Sequence, residues 1–212
     1  MNITLTIEQL AAINTLAKHV ASSNDQVPII CSVQLRLEAG KVTAIATDRY
    51  RVGELTFTLE KAALEEAVDG TVLVSVAILT RVISMLKGEK ATNTPRVSIT
   101  GDDREVTIRD QHTGGLVVEM AFQGNYPPVE KLIPDTDKLV DFQAGISLNM
   151  GYFTAPSQLH FPGEKAATAK QQAWHVGGTK TENPMKPGPI LIWREMGTMA
   201  YRYLLQPNHL KS

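Results

Sequence analysis

A short pattern occurs three times along this 212-residue chain and limits the folds that the chain can adopt. Each copy has a few alternating apolar residues, which predict a strand, followed by a helix-capping residue and an apolar stretch with helical spacing. The capping residues are Thr6, Ser75 and Asn149. Gln9 follows Thr6 at the spacing of a capping box. These three capping residues are spaced at near-equal intervals, which indicates an internal repeat. We therefore predict three structural units.

Three predicted strands follow the helix of each unit. They cover residues 29–37, 42–47 and 50–59 in the first unit, 96–100, 105–109 and 116–122 in the second, and 173–176, 190–194 and 199–205 in the third. The first helix is predicted to bury one apolar face and to leave Asn14 outside it. In the third unit, Pro156 shortens the helix, and residues 161–188 predict a long loop. The predicted fold class is α+β, with repeated β-α-β-β-β units and helices on one face of antiparallel sheets.

A proline-rich segment at 123–134 separates the second and third units. Its three prolines favour an extended linker, and the charge changes just after it. Residues 1–137 are acidic and residues 138–212 are basic, although the chain has a formal net charge of only −1. We therefore predict a complete domain at 1–137, with units at about 1–68 and 69–137, and a partial or diverged domain of one unit at 138–212.

Composition argues against several classes of site. A single cysteine, Cys31, excludes an intrachain disulfide and a cysteine-based zinc cluster. The five histidines lack metal-ligand spacing, and no nucleophile, phosphate-loop or dinucleotide motif occurs. Asp48 is interpreted as a turn cap or ion-pair partner, and Asp102 and Asp103 as turn residues. We therefore expect a protein that is not an enzyme and that has no metal and no cofactor.

The first residues and the apolar stretches of the chain indicate where the protein is located. The first residues have no basic segment followed by a long apolar run, so no secretion signal is predicted. No apolar stretch approaches the length that crosses a bilayer. The expectation is a cytoplasmic protein with no membrane partner.

Three segments resemble one known family, the bacterial DNA polymerase III beta subunit, which is the replicative sliding clamp. They are ATDRYRV at 46–52, NYPPVEKLIP at 125–134 and YLLQPNHL at 203–210. The resemblance implies the DNA-clamp fold, which is built from the same repeated unit. It also implies a processivity factor of DNA replication that tethers polymerase to double-stranded DNA without reading its sequence. The reduced length suggests a phage or mobile-element source.

In that family the three segments converge on a hydrophobic cleft that binds short peptides of DNA polymerase and of other clamp-binding proteins. Carried over position by position, the resemblance implies a cleft formed by Cys31, Thr47, Arg49, Tyr50, Arg51, Val52, Pro127, Lys131, Leu132, Leu204, Leu205, Gln206, Pro207, Asn208, His209 and Leu210. Arg49, Gln206 and His209 depart from the family pattern, in which a glycine, an apolar residue and a basic residue stand at these positions.

The resemblance also implies basic side chains that face DNA phosphates. The candidates are Lys18, His19, Arg81, Lys87 and Lys90, with Lys165, Lys170 and Lys180 as further options. Clamps close into rings, so a homo-oligomer is expected. Either the third units of two chains pair around a two-fold axis, or 138–212 is a complete diverged domain and three chains form the ring. The alternative function is a non-encircling adaptor or decoy that binds clamp-interacting proteins.

Overall fold

Two antiparallel sheets organise the described part of the chain. The computed structural model describes residues 1–86, 94–140, 148–164, 172–181 and 188–207. Its strands are β1 (Asn2–Leu5), β2 (Ser32–Glu38), β3 (Lys41–Thr47), β4 (Arg51–Thr58), β5 (Gly70–Ser75), β6 (Val97–Gly101), β7 (Glu105–Asp110), β8 (Leu116–Met120), β9 (Leu139–Val140), β10 (His175–Thr179), β11 (Ile190–Met196) and β12 (Met199–Leu205). Its α-helices are α1 (Ile7–Val20), α2 (Lys61–Leu64), α3 (Val76–Met85) and α4 (Met150–Phe153), and 3-10 helices cover Pro28–Cys31, Val129–Leu132, Thr136–Lys138 and Ala155–Gln158.

The first two units exchange their first strands. The smaller sheet has the order β1-β6-β7-β8, so the first strand of unit one lies against the strands of unit two. The larger sheet has the order β5-β2-β3-β4-β12-β11-β10-β9, so β5 of unit two lies against unit one. Each unit therefore completes the sheet of the other. This arrangement confirms the α+β class with antiparallel sheets.

The third unit extends the larger sheet through the pairing of β4 with β12. Leu204 lies opposite Val52, and Arg202 lies opposite Glu54. Glu54 is buried, and its carboxylate accepts a hydrogen bond from the Arg202 guanidinium at 2.7 Å. The predicted division into 1–137 and 138–212 stays a prediction, since strands of both segments share this sheet.

Three helices start at the predicted capping residues. The Thr6 hydroxyl accepts a hydrogen bond from the Gln9 N–H (3.0 Å), and the Gln9 side chain accepts one from the Thr6 N–H (2.9 Å). The Ser75 hydroxyl accepts from the Ile78 N–H at the start of α3, and Asn149 caps α4 through the Gly151 N–H. These bonds satisfy N–H groups that have no partner inside a first helical turn. The three predicted caps are confirmed.

The main core lies between helices α1 and α3 and the inner faces of both sheets. Leu10, Ile13 and Val20 of α1 are fully buried there. Gly53 of β4 permits the close approach of the helix, because a Cβ at this position would lie 2.7 Å from a methyl carbon of Leu16. Asn14 was predicted to lie off the buried face, and this prediction is wrong. It is buried because α3 packs beside α1, and its side-chain oxygen accepts a hydrogen bond from the Thr80 hydroxyl (3.2 Å).

Several elements differ from the sequence prediction. The strand predicted at 29–37 starts only at Ser32, because Pro28 begins a 3-10 helix. The linker predicted to be extended contains another 3-10 helix over Val129–Leu132. Helix α2 and strand β9 were not predicted. Of the predicted loop at 161–188, residues 165–171 and 182–187 lie outside the described residues, and β10 runs past the predicted end at 176.

No helix in the described segments is long and apolar enough to cross a membrane.

Candidate functional site

The turn between β3 and β4 is held by its own side chains. One Asp48 carboxylate oxygen accepts hydrogen bonds from the N–H groups of Tyr50 (3.0 Å) and Arg51 (3.1 Å). The other accepts from Nε of Arg51 at 2.9 Å. The Thr47 hydroxyl donates to the Arg51 carbonyl (2.7 Å) and accepts from the N–H of Arg49, whose φ is 81°. The interpretation of Asp48 as a turn cap and ion-pair partner is confirmed.

This turn is joined to the third unit by aromatic contacts. The Arg51 guanidinium lies 4.5 Å from the ring centre of Tyr152 in α4, which is cation–π geometry. The ring of Tyr50 stacks on the same tyrosine, with 6.3 Å between centroids. The Tyr203 hydroxyl donates to the Tyr152 carbonyl (2.8 Å), and burial raises the pKa of Tyr203 to about 12. Sequence reasoning missed Tyr152, because no local signal connects α4 with a turn about a hundred residues earlier.

The larger sheet separates the predicted cleft residues onto two faces. Val52 lies opposite Leu204, and Arg51 lies opposite Leu205. Adjacent residues of a strand point to opposite faces, while paired residues point to the same face. Leu205 packs in the main core on the helix side, whereas Val52 and Leu204 belong to a separate apolar cluster on the other side. The structure therefore does not bring all the predicted residues into one surface.

We call that separate group the outer cluster, and it covers the face of the larger sheet opposite α1. Its buried members are Ile45, Val52, Tyr126, Val129, Ile133, Leu191 and Leu204. The 3-10 helix Val129–Leu132 contacts β4 at this place. The Tyr126 hydroxyl donates to the Ile45 carbonyl at 3.4 Å, and burial raises its pKa. The linker is thus fastened to the sheet and forms one wall of the site.

Other predicted residues surround the outer cluster. Pro127 is half-buried, and Lys131 and Leu132 are exposed on the linker's 3-10 helix. Leu132 is 61% exposed, which is high for a leucine so near an apolar cluster. Gln206 is exposed, and its N–H donates to the Tyr50 carbonyl (3.2 Å). An apolar floor with exposed apolar and polar side chains at its border suits an extended peptide segment.

The remaining predicted cleft residues are Pro207, Asn208, His209, Leu210 and Cys31. Pro207 is buried at the end of the described chain, while Asn208, His209 and Leu210 lie outside the described residues. Cys31 is half-buried, and its thiol donates to the Asn24 carbonyl at 3.4 Å. It borders an open cavity of about 580 Å³ between the end of α1 and the start of α3. Burial raises the pKa of the Cys31 thiol, so the thiol stays protonated at neutral pH.

The predicted DNA-facing residues are only partly described. Lys18 at the end of α1 and Arg81 on α3 are exposed, and Lys180 is exposed after β10. His19 is half-buried, and burial together with nearby Arg51 lowers its pKa. A neutral imidazole is a weaker phosphate partner than a lysine. Lys87, Lys90, Lys165 and Lys170 lie outside the described residues.

Within the described segments, no three His, Cys, Asp or Glu side chains are grouped so that they could hold a metal ion. Asp102 serves its turn, because its carboxylate accepts the N–H groups of Arg104 (2.7 Å) and Glu105 (3.1 Å). These two bonds lower the pKa of Asp102. The interpretation of Asp102 as a turn residue is confirmed.

Comparison with known proteins shows similarity of structure without similarity of sequence. No protein-family model matches the chain, and no curated protein matches its sequence. Among solved structures, the DNA polymerase III beta chain of Streptococcus pneumoniae matches 99% of this chain with a TM-score of 0.67 and 16% identity. The beta subunit of Thermotoga maritima matches all of it, with a TM-score of 0.68 and 12% identity. The sliding clamp of Bacillus subtilis also matches all of it, with a TM-score of 0.66 and 16% identity.

This chain matches only part of each solved clamp. This chain covers 65% of the Streptococcus and Bacillus chains and 66% of the Thermotoga chain. Identities this low establish the fold alone. Over the whole of its length the chain has the DNA-clamp fold of the bacterial DNA polymerase III beta subunits, at about two thirds of their size.

Proposed function

We propose that this chain is a sliding-clamp-like processivity factor of DNA replication. In this role it tethers a polymerase to double-stranded DNA and binds short peptides of its partners at the outer cluster. The observation that carries the proposal is the clamp fold over 98–100% of the chain in the structures that it matches. The role is one of binding, without catalysis.

The outer cluster supports the peptide part of the proposal. Its floor consists of Val52 and Leu204, each 5% exposed, on neighbouring strands. Leu132 stands exposed at one border and Gln206 at another. A peptide with Leu or Phe anchors can bury those side chains against the floor, while the polar border fixes its direction.

The DNA part of the proposal depends on local charge. The chain has a net charge of −1, so general attraction to phosphate is weak. Exposed Lys18 on α1 and exposed Arg81 on α3 supply positive charge. An oligomer that surrounds DNA holds it by topology and needs few such contacts. The homo-oligomer and the cytoplasmic location belong to the same proposal.

Peptide binding is tested first, with a fluorescein-labelled peptide that carries Leu and Phe anchors. Leu132→Asp places a charge at the border of the outer cluster without changing a buried residue. We expect the fluorescence anisotropy titration to show affinity reduced by at least about tenfold, or about 1.4 kcal/mol. Val68→Asp is the matched control, because Val68 is 56% exposed and lies beside Asn2 of β1, outside the outer cluster. Equal affinities for the wild type and Leu132→Asp would reject this site.

DNA retention then separates the clamp from the adaptor. A clamp stays on closed circular DNA through gel filtration at moderate salt and leaves after the DNA is linearised, because linear DNA offers free ends. An adaptor binds the peptide and is retained on neither form. The net charge of −1, which gives only weak general attraction to phosphate, is the observation that favours the adaptor.

A further inference from the structure

Arg49 has a backbone conformation that arginine does not favour. Its φ is 81°, in the left-handed region where a Cβ crowds the backbone and which glycine adopts readily. The N–H of Arg49 donates to the Thr47 hydroxyl at 3.1 Å, and this bond helps to hold the turn in place. Such strain persists only where the surrounding structure enforces it, and it is concentrated at functional sites such as ligand clamps. Arg49 is therefore a candidate for a role in binding.

The turn that contains Arg49 lies at one end of the outer cluster. Val52 and Leu204, the floor of this cluster, are the last pair but one of the β4–β12 ladder. Just beyond the end of the ladder, the Gln206 N–H donates to the Tyr50 carbonyl at 3.2 Å. Arg49 directly precedes Tyr50 and is exposed. Its charged side chain therefore belongs to the same border of the outer cluster as Gln206.

The linker wall of the site carries a second exposed cation. Lys131 is exposed on the 3-10 helix Val129–Leu132, next to the exposed Leu132. This helix forms a wall because Val129 belongs to the outer cluster and because the helix contacts β4. Arg49 and Lys131 thus border the apolar floor from two different elements.

Most carboxylates near the outer cluster are already paired with bases. The pairs are Asp48–Arg51, Glu54–Arg202, Glu130–Arg36 and Asp135–Lys138. The exposed Asp137 also lies beside Lys138. In the described part of the chain, Arg49 and Lys131 have no carboxylate within ion-pair distance. The unpaired charges nearest in sequence to the floor and to its wall are therefore positive.

We propose that the outer cluster selects acidic peptides, and that Arg49 is the residue that determines this preference. The Leu or Phe anchors of the peptide cover the floor, while one of its carboxylates pairs with Arg49 and another reaches Lys131. A guanidinium can hold a carboxylate through two parallel hydrogen bonds. A basic peptide would bring its charge against two unpaired cations, which adds discrimination by repulsion. This inference rests on the proposed function, since it concerns the partner of the same site.

A pair of matched peptides tests the preference. Both are short, fluorescein-labelled and carry the same Leu and Phe anchors; one has Asp residues beside the anchors and the other has Asn, which has nearly the same shape without the charge. We expect fluorescence anisotropy titrations of the full chain to show about two- to fivefold tighter binding of the Asp peptide at low salt, as is typical of exposed ion pairs. The difference should disappear at roughly 0.5 M salt, which screens exposed charges.

Two substitutions of Arg49 test its role. Arg49→Gln should bind the Asp and Asn peptides equally. Arg49→Glu should reverse the preference, so that a third peptide with Lys in place of Asp binds more tightly than the Asp peptide. A purely structural role of Arg49 would not produce this reversal. Lys41→Gln is the matched control, because Lys41 is exposed at the other end of β3 and should keep the preference of the wild type. Circular dichroism shows whether each variant is folded.

The outcomes separate this inference from the proposed function. Equal binding of the Asp and Asn peptides by the wild type would leave the peptide site in place and overturn its acidic preference. A preference that survives both Arg49→Gln and Arg49→Glu in folded proteins would overturn the role of Arg49. Absence of binding by all three peptides would overturn the peptide site itself, and the inference with it.

Discussion

Arg51 connects the β3–β4 turn to the third unit, and its removal should destabilise the whole fold. Its Nε donates to Asp48 at 2.9 Å, and its guanidinium lies 4.5 Å from the ring centre of Tyr152. Only 14% of its side chain is exposed, so solvent screens these interactions weakly. We expect Arg51→Ala to lower the free energy of unfolding measurably.

The magnitude follows from three contributions. A hydrogen bond to a charged group contributes about 1.5–3 kcal/mol. A partly desolvated cation–π contact adds about 1–2 kcal/mol. Ordering a long arginine side chain costs up to about 2 kcal/mol, which offsets part of the gain. The net expectation for Arg51→Ala is a loss of about 2 kcal/mol.

Urea unfolding followed by circular dichroism measures this loss. The urea concentration at the midpoint of unfolding should fall, while the slope of the unfolding free energy against urea concentration stays constant. The reason is that the substitution lowers stability and leaves the surface exposed on unfolding unaltered. Arg51→Lys keeps the charge and loses the planar guanidinium. We therefore expect it to lower the free energy of unfolding by about half as much as Arg51→Ala. Arg49→Ala is the control, because Arg49 lies in the same turn and is exposed. A loss at Arg51→Ala as small as that of the control would refute the reasoning.

Three other substitutions test the structure. The Arg96 guanidinium holds the pKa of Asp110 well below its usual range. This carboxylate therefore contributes stability above pH 4 that is lost as the pH falls. Asp110→Asn should make the free energy of unfolding depend less on acid pH, as measured by urea titrations at a series of pH values. Tyr201→Phe removes a buried hydroxyl that donates to the His160 carbonyl at 2.9 Å, and differential scanning calorimetry should show a loss of about 1–2 kcal/mol. Gly53→Ala forces a methyl group against α1 and should cost about 1–3 kcal/mol in the same experiment, while an unchanged melting temperature would contradict the close packing.

Local chemistry could be predicted from the sequence, and long-range pairing could not. Thr6, Ser75 and Asn149 were recognisable because a cap depends on residues within one helical turn. The exchange of β1 and β5 between units was not, because a strand's own residues do not indicate which partner lies beside it. The burial of Asn14 could not be predicted for the same reason, since it depends on the contact with α3.

The candidate site could be predicted only in part, because it too depends on contacts between elements that are distant in the sequence. The segments 46–52 and 125–134 and the described residues 203–207 of the third segment lie near one another. Strand alternation, which is visible in the sequence, could have shown that Val52 and Arg51 point to opposite faces. Tyr152 left no such signal, because its contacts with the turn depend on the position of α4.

The pairing of β4 with β12 also governs how the chain folds during its synthesis. Glu54 and its partner Arg202 are 148 residues apart. At about 5–20 residues per second, a ribosome takes roughly 7–30 s to make that interval. For that time β4 has an unpaired edge, and its buried carboxylate has no arginine. The nascent chain is therefore exposed to strand addition during synthesis, and its larger sheet can be completed only after β12 has been made.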